Sequence, residues 1–217
     1  MSSSAIEIAS DDDRPKSLDL SKIGQRKSAF QLYKPSSATV LTNLQRGNTQ
    51  AALPKEIRLS FHEKTAQGEI TEEQVKAELS QIDEVDSKQF TPLHWACYYG
   101  QFNSAQVLIN CGANVNKEAP EKVSPLLLAA AGGHNEIVRL LLQKGANVHH
   151  TDIVGNTALM YAVAGNHPHT TKELLERFPD ITETNEYGDD AYSLAVKNNS
   201  NLSQAVLENH ISNMLTM

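Results

Sequence analysis

The side chains best suited to chemistry are the eight histidines of the chain. His149 and His150 are adjacent, and His167 and His169 flank a proline. A structural or catalytic zinc site needs three or four ligands at defined spacings, and no Cys or Glu accompanies these histidines at such a spacing. We therefore expect neither a metal site nor any other cofactor.

Other potential catalytic patterns have simpler structural explanations. The adjacent carboxylates Asp189 and Asp190 suit a turn and a helix cap better than the paired acids of a glycosidase. The stretch AGGHN around Gly132 suits a helix end, because no Gly-Lys-Ser or Gly-Lys-Thr follows it as in a phosphate-binding loop. No nucleophile stands in a recognisable pattern with a base. The sequence therefore predicts a non-enzymatic protein without catalytic residues.

Charge is distributed unevenly along the chain. Residues 1–54 carry seven Lys and Arg against five Asp and Glu, whereas residues 55–217 carry twelve against twenty-one. The phosphate backbone of a nucleic acid would be repelled by so acidic a segment, so we expect no direct binding of nucleic acid. No apolar run approaches the roughly 18 to 20 residues that a membrane-spanning helix needs, so we expect no membrane insertion.

The elements that would position a binding surface repeat along the chain. Four similar segments begin 33 residues apart, at residues 91, 124, 157 and 190. In the first of them Thr91 suits a helix cap, Pro92 the first helical position and Gly100 a left-handed stop. Asn166 and Asn199 replace that stop glycine in later segments, and asparagine tolerates the same backbone conformation. Each unit is therefore predicted to hold two short helices.

The stretch TPLHWA, which begins at Thr91, resembles the signature of the ankyrin repeat, whose period is also 33 residues. The resemblance implies an all-α solenoid of helix-turn-helix units with β-turn fingers, in which His94 forms hydrogen bonds between repeats. A weaker unit precedes the four regular ones, so about five units are predicted. Residues 1–54 are predicted to form a disordered tail. Residues 55–217 are predicted to form the repeat domain, with units near 57–85, 86–118, 119–151, 152–184 and 185–217.

Stretches outside the repeat signature give a closer resemblance. The family that contains the regulatory-factor-X-associated ankyrin protein and the ankyrin repeat family A protein is similar in LTNLQRGNTQAALP from Leu41, TAQGE from Thr65, YAVAGNH from Tyr161 and VLENHI from Val206. The resemblance implies an adaptor of nucleus and cytoplasm that binds Pro-x-Leu-Pro-x-Ile/Leu peptides. Its implied partners are regulatory factor X subunits and class IIa histone deacetylases, and its implied role is that of a transcriptional cofactor for RNA polymerase II. The alternative is a cytoplasmic adaptor for receptor tails or histone deacetylases that has no promoter role.

A helical projection of the segment TPLHWACYYG separates an apolar face from an aromatic face. The apolar face, which we expect in the core, holds Leu93, Ala96 and Cys97. The aromatic face, which we expect on the concave surface of the stack, holds Trp95, Tyr98 and Tyr99. The alternative is that Trp95 packs as ordinary core, since tryptophan is often mostly buried without any ligand.

The position of Trp95 recurs every 33 residues as Leu128, Tyr161 and Leu194, which predicts an apolar column across four units. Packed helices lie about 8 to 10 Å apart and a polyproline II chain advances about 3.1 Å per residue, so three ligand residues span one unit. In the Pro-x-Leu-Pro-x-Ile/Leu motif the two prolines are three residues apart, and so are the two aliphatic residues. We therefore expect such a peptide to bind along this column.

The finger loops supply the remaining candidate residues for peptide binding, Glu121, Asp152 and Ile153. Ile153 stands where the family has a fingertip tryptophan, and Gln89 replaces a turn glycine, so the choice of partner is expected to differ from that of the family. If the aromatic face were core instead, the ligand site would lie on the finger loops around Asp86, Glu121 and Asp152.

Overall fold

The computed structural model describes residues 59–177 and 179–216; the tail predicted for residues 1–54 lies outside them. Over the described residues the chain forms ten α-helices and no β-strand. In chain order they are α1 (Phe61–Gln67), α2 (Glu72–Ala77), α3 (Pro92–Tyr99), α4 (Phe102–Asn110), α5 (Pro125–Ala131), α6 (Asn135–Gln143), α7 (Ala158–Ala164), α8 (Pro168–Leu175), α9 (Ala191–Lys197) and α10 (Asn201–Leu215). Short 3₁₀ turns at Leu79–Gln81 and Pro120–Lys122 lie before α3 and α5.

The odd-numbered helices each begin after a residue whose side chain caps the helix. The side-chain oxygen of the cap accepts a hydrogen bond from the backbone N–H of the third helical residue, which would otherwise lack a partner, and the caps are Ser60, Thr91, Ser124, Thr157 and Asp190. Pro92 occupies the opening turn of α3, as predicted. These starts therefore follow from local sequence alone.

The same helices end where the backbone turns left-handed. Gly100 and Gly133 have φ values of 72° and 73°, and Asn166 and Asn199 have φ values of 55° and 54°. The prediction that asparagine takes over the role of glycine at the two later stops is confirmed. Gln89 also has a positive φ, 61°, in the turn where a glycine was expected.

The helices form two layers that run the length of the stack. The odd-numbered helices α1 to α9 pack against one another in chain order, and so do the even-numbered helices α2 to α10. Leu93, Ala96 and Cys97 are completely buried between these layers, as expected. The all-α solenoid is thus confirmed. One helix pair falls in each predicted unit, while the limits of the units remain predictions.

Neighbouring units are joined by a column of polar side chains at the start of the even-numbered helices. Gln101 donates from Nε2 to the carbonyl of Ala66 at 3.3 Å, and His167 donates from Nε2 to the carbonyl of Ala131 at 3.2 Å. Ser200 continues the column through a 3.4 Å bond to the carbonyl of Ala164. These bonds satisfy carbonyls at the ends of the preceding odd-numbered helices, which have no partner within their own helix.

His94 joins adjacent units at the other end of α3. Its Nε2 donates to the carbonyl of Val123 at 3.2 Å, and its Nδ1 accepts from the backbone N–H of Thr91 at 3.3 Å. Burial lowers the pKa of His94 to about 4, against the opposing effect of the Val123 and Lys117 carbonyls, so the ring is neutral at pH 7. The hydrogen bond between repeats that the family resemblance implied for His94 is confirmed.

Candidate peptide-binding groove

The face of α3 opposite the core carries the three aromatic side chains expected there. Trp95 and Tyr98 are half-buried, and Tyr99 is 43% exposed. The Trp95 and Tyr99 rings are stacked with centroids 5.8 Å apart, while the Tyr98 ring stands nearly perpendicular to both. Such offset and edge-to-face arrangements are the favourable geometries for aromatic pairs, so the rings hold one another in place.

A finger-loop carboxylate fixes the Trp95 ring. The indole Nε1 of Trp95 donates to Oδ2 of Asp86 at 2.9 Å, while Oδ1 of Asp86 accepts from the backbone N–H groups of Lys88 and Phe90. Partial burial raises the pKa of Asp86, but the hydrogen bonds from Phe90, Trp95 and Lys88 outweigh burial and leave that pKa below its ordinary value. The carboxylate is therefore ionised at neutral pH and ties the loop to the ring.

Two further side chains pack against the Trp95 ring from the finger loop. The Phe90 ring meets it edge-on, with centroids 5.2 Å apart. The ammonium of Lys88 lies 5.1 Å from the centroid of the Trp95 ring, within the range of a cation–π interaction. The alternative that Trp95 is ordinary core is thus not what the structure shows, because the ring lies at the surface with a polar partner and a cation.

The same arrangement recurs two units further along the chain. The hydroxyl of Tyr161 donates to Oδ2 of Asp152, and Oδ1 of Asp152 accepts from the backbone N–H groups of Val154 and Asn156 at 2.9 and 2.8 Å. Burial raises the pKa of Tyr161, and its hydrogen bond to Asp152 raises it further. The phenol is therefore protonated at neutral pH and serves as the donor, and Asp152 positions the ring.

The unit between these two lacks the carboxylate and the polar ring. Ala119 and Leu128 occupy the corresponding positions, and Leu128 is only 1% exposed. This differs from the expected groove lining. Every residue of α5 is buried, because the helix is apolar on all sides and lies between α3 and α7. A helical projection of one unit does not include that cover. In the last unit, Leu194 at this position is half-buried.

The finger residues divide into structural and exposed ones. Asp152 is 8% exposed and both of its oxygens are bonded within the chain, so it offers no free carboxylate to a ligand. Ile153 is 53% exposed, and its backbone N–H donates to the carbonyl of Glu121 at 3.0 Å. Glu121 is half-buried with a φ of 62°. The fingers of these neighbouring units are therefore bonded to each other.

The roles of Asp86 and Asp152 as partners of the rings were missed in the sequence. The signal was present, because each aspartate precedes its aromatic donor by nine residues. Asn185 occupies the same loop position in the last unit, and its Oδ1 accepts from the N–H groups of Tyr187 and Asp189. With Leu194 nine residues later, that unit has the loop but not the donor.

The groove carries no feature of a metal or membrane protein. Within the described ranges, no group of three or more His, Cys, Asp or Glu side chains is placed to hold a metal ion. No helix in the part of the chain that the structure describes is long and apolar enough to cross a membrane.

Comparison with known proteins agrees with the architecture. A family model described as ankyrin repeats (3 copies) matches residues 62–152 and 126–216. The DNA-binding protein RFXANK of Homo sapiens is 40% identical over 100 residues, which cover 44% of this chain and 38% of that protein. The DNA-binding protein RFXANK of Mus musculus is 38% identical over 110 residues, which cover 44% and 40% of the two chains. The alignment thus spans less than half of either relative, and the resemblance expected from the sequence is confirmed.

Proposed function

The chain belongs to the ankyrin-repeat family, and from this premise we propose that it is a non-enzymatic adaptor that binds an extended peptide of a partner protein along its concave groove. The observation that carries the proposal is the pair of aromatic side chains, Trp95 and Tyr161, held at fixed orientations by Asp86 and Asp152. Rigid, partly exposed aromatic side chains contribute large contact areas at little cost in conformational entropy.

The spacing of the two rings supports a polyproline II ligand of the Pro-x-Leu-Pro-x-Ile/Leu type. Trp95 and Tyr161 belong to the second and fourth units, two helix spacings apart, which is roughly 16 to 20 Å. At about 3.1 Å per residue, such a distance corresponds to about six residues of polyproline II chain, the length of the motif. The covered Leu128 forms the floor between the rings, so the central ligand residues are expected to meet a smaller and less polar surface.

The role in transcription is proposed from the relatives. Two curated relatives are called DNA-binding proteins, whereas residues 55–217 of this chain carry an excess of acidic residues. Acidic surfaces repel DNA. We therefore propose that the chain reaches promoters through partners, namely regulatory factor X subunits and class IIa histone deacetylases, and works in nucleus and cytoplasm. Purification of the endogenous protein tests this: co-purification of deacetylases alone, without DNA-binding subunits, would favour the cytoplasmic adaptor.

Replacement of Trp95 by alanine tests the groove directly. We expect Trp95→Ala to weaken binding of a fluorescent Pro-x-Leu-Pro-x-Ile peptide by about 30-fold or more, because a central aromatic contact is lost. Trp95→Phe keeps an aromatic surface without the donor to Asp86, and an intermediate loss is expected. Fluorescence anisotropy titration measures both, and circular dichroism checks that the helices persist.

Tyr192→Ala is the matched control for this experiment. Tyr192 is 40% exposed, and its hydroxyl donates to Glu208 on α10, so its ring faces away from the groove. The control protein should bind the peptide as the unaltered chain does. If folded Trp95→Ala protein binds with unchanged affinity, the peptide does not lie on the aromatic face, and the exposed fingertips around Ile153 become the next candidate.

A further inference from the structure

The largest cavity of the described chain lies beside the groove, at the free end of the first unit. Its volume is about 870 Å³, and it opens between α1, α2 and the loop that leads to α3. Its apolar lining includes Leu59, Phe61 and Val85, of which Val85 is 45% exposed. Ligand and peptide sites in proteins have volumes of about this size.

The charged lining of this cavity is mostly acidic. Four carboxylates line it, from Glu69, Glu78, Glu84 and Asp86, against a single lysine, Lys64. The pKa of Asp86 lies below its ordinary value because backbone and indole hydrogen bonds outweigh its partial burial, so this carboxylate is ionised. The cavity therefore suits an occupant that combines apolar and basic side chains.

The direction of the chain at the cavity identifies such an occupant. Leu59 and Ser60 are themselves part of the lining. The Ser60 hydroxyl caps α1, and Glu63 in turn accepts from the Ser60 N–H at 2.8 Å, so the entry of the chain into α1 is fixed. Residue 58 is one peptide unit from Leu59, about 3.8 Å between Cα atoms, and must start at the cavity wall.

We propose that the segment of residues 53–58, LPKEIR, docks in this cavity. Lys55 and Arg58 supply the basic groups that the acidic lining calls for, and Leu53 and Ile57 supply the apolar ones. Six residues reach at most about 20 Å when extended, so the whole segment stays within reach of the lining. Pro54 restricts Leu53 before it to extended conformations, which lowers the entropy lost on docking.

Docking at this place has a consequence for the groove. Asp86 both lines the cavity and accepts the hydrogen bond of Trp95. The docked segment therefore lies next to the first aromatic anchor and forms the end wall of the groove. The inference does not depend on the identity of the peptide ligand, since it concerns contacts within one chain.

Hydrogen exchange of the full chain, followed by mass spectrometry, tests the docking. The double variant Lys55→Glu/Arg58→Glu replaces attraction by repulsion, so amides of α1 and of residues 84–86 should exchange about 10-fold faster. The control Arg26→Glu/Lys27→Glu makes the same change of charge further along the tail and should leave these amides unaltered. Ile57→Ser removes apolar contact without reversing charge and should accelerate the same amides.

A charge swap separates docking from general loss of stability. Adding Glu78→Lys and Glu84→Lys to the Lys55→Glu/Arg58→Glu protein should restore slow exchange, because opposite charges again face each other. Unchanged exchange in the Lys55→Glu/Arg58→Glu protein would overturn the proposal, and so would equal acceleration in the control. Protection that rises with protein concentration would also overturn it, in favour of a second copy of the chain as the occupant.

Discussion

At the scale of single residues, the aspartates of the fingers connect loop and groove. The two oxygens of Asp86 divide their tasks, since Oδ1 accepts from the backbone of its own loop and Oδ2 accepts from Trp95. Asp152 does the same for its loop and Tyr161. A ligand that contacts either ring is thereby coupled to the conformation of a finger. Neutral His94, buried at the next junction, provides the clearest pH dependence.

The pKa of His94 predicts a loss of stability in mild acid. Because burial lowers this pKa from 6.5 to about 4 in the folded protein, the unfolded chain takes up a proton between these pH values and the folded protein does not. Stability is therefore complete above about pH 6.5 and falls as the pH drops toward 4. We expect a contribution of about 2 kcal/mol to be lost between pH 7 and pH 5.

Urea unfolding at pH 7 and pH 5 measures this loss. His94→Gln should show a smaller difference between the two pH values, because no imidazole is left to be protonated at that site. His169→Gln, a change at an exposed histidine, is the control and should keep the difference of the unaltered chain. If His94→Gln keeps the full difference as well, the acid sensitivity arises elsewhere.

At the scale of elements, most starts and stops of the odd-numbered helices are local. Hydroxyl or carboxyl caps precede these helices, and left-handed residues follow most of them, so both could be predicted from the 33-residue pattern. Burial of Leu128 could not be predicted, because it depends on the neighbouring α3 and α7, whose packing is absent from the projection of one helix. The pairing of Asp86 with Trp95 joins a loop to a helix, so no helical or strand periodicity indicates it.

Asn166 and Asn199 offer a matched pair for testing helix stops. Both are left-handed, but Oδ1 of Asn166 also accepts from the N–H groups of Leu202 and Ser203, at the start of α10, at 3.1 Å. The side chain of Asn199 is exposed. Asn166→Gly should therefore lower the free energy of unfolding by about 1 kcal/mol, since a helix cap is lost. Asn199→Gly should leave it unchanged or raise it slightly, because glycine adopts this conformation without strain.

Chemical denaturation of both variants under one condition gives the comparison. Equal effects of Asn166→Gly and Asn199→Gly would mean that the bonds from Asn166 to α10 contribute nothing to stability. In that case the asparagines act only as substitutes for glycine in the turn, which is what the sequence alone suggested.

At the scale of the whole molecule, each unit contacts mainly its neighbours in the stack. The odd-numbered helices pack in chain order and so do the even-numbered ones. In such arrays, stability is approximately the sum of the units and their interfaces, and the ends are the weakest parts. Here the first end also holds the acidic cavity of about 870 Å³. The repeat part should nevertheless unfold as one unit, because its junctions are bonded throughout.

Limited proteolysis checks this expectation. A dilute protease should trim the full chain between residues 38 and 55 and then stop, since the composition of the tail predicts no core there. The resistant product should begin before α1 and extend to the C-terminal helix, as mass spectrometry would show. Early cleavage within residues 90–190 would contradict both the repeat register and the cooperative behaviour of the stack.

The column of side chains from Gln101 to Ser200 also bears on how such a chain lengthens. Each bond reaches back 35 or 36 residues, to the end of the odd-numbered helix one unit earlier. A duplication of 33 codons would therefore copy a reaching side chain together with a receiving carbonyl. The added unit would meet a complementary surface on either side, so unequal recombination would extend the array without any compensating substitution in its neighbours.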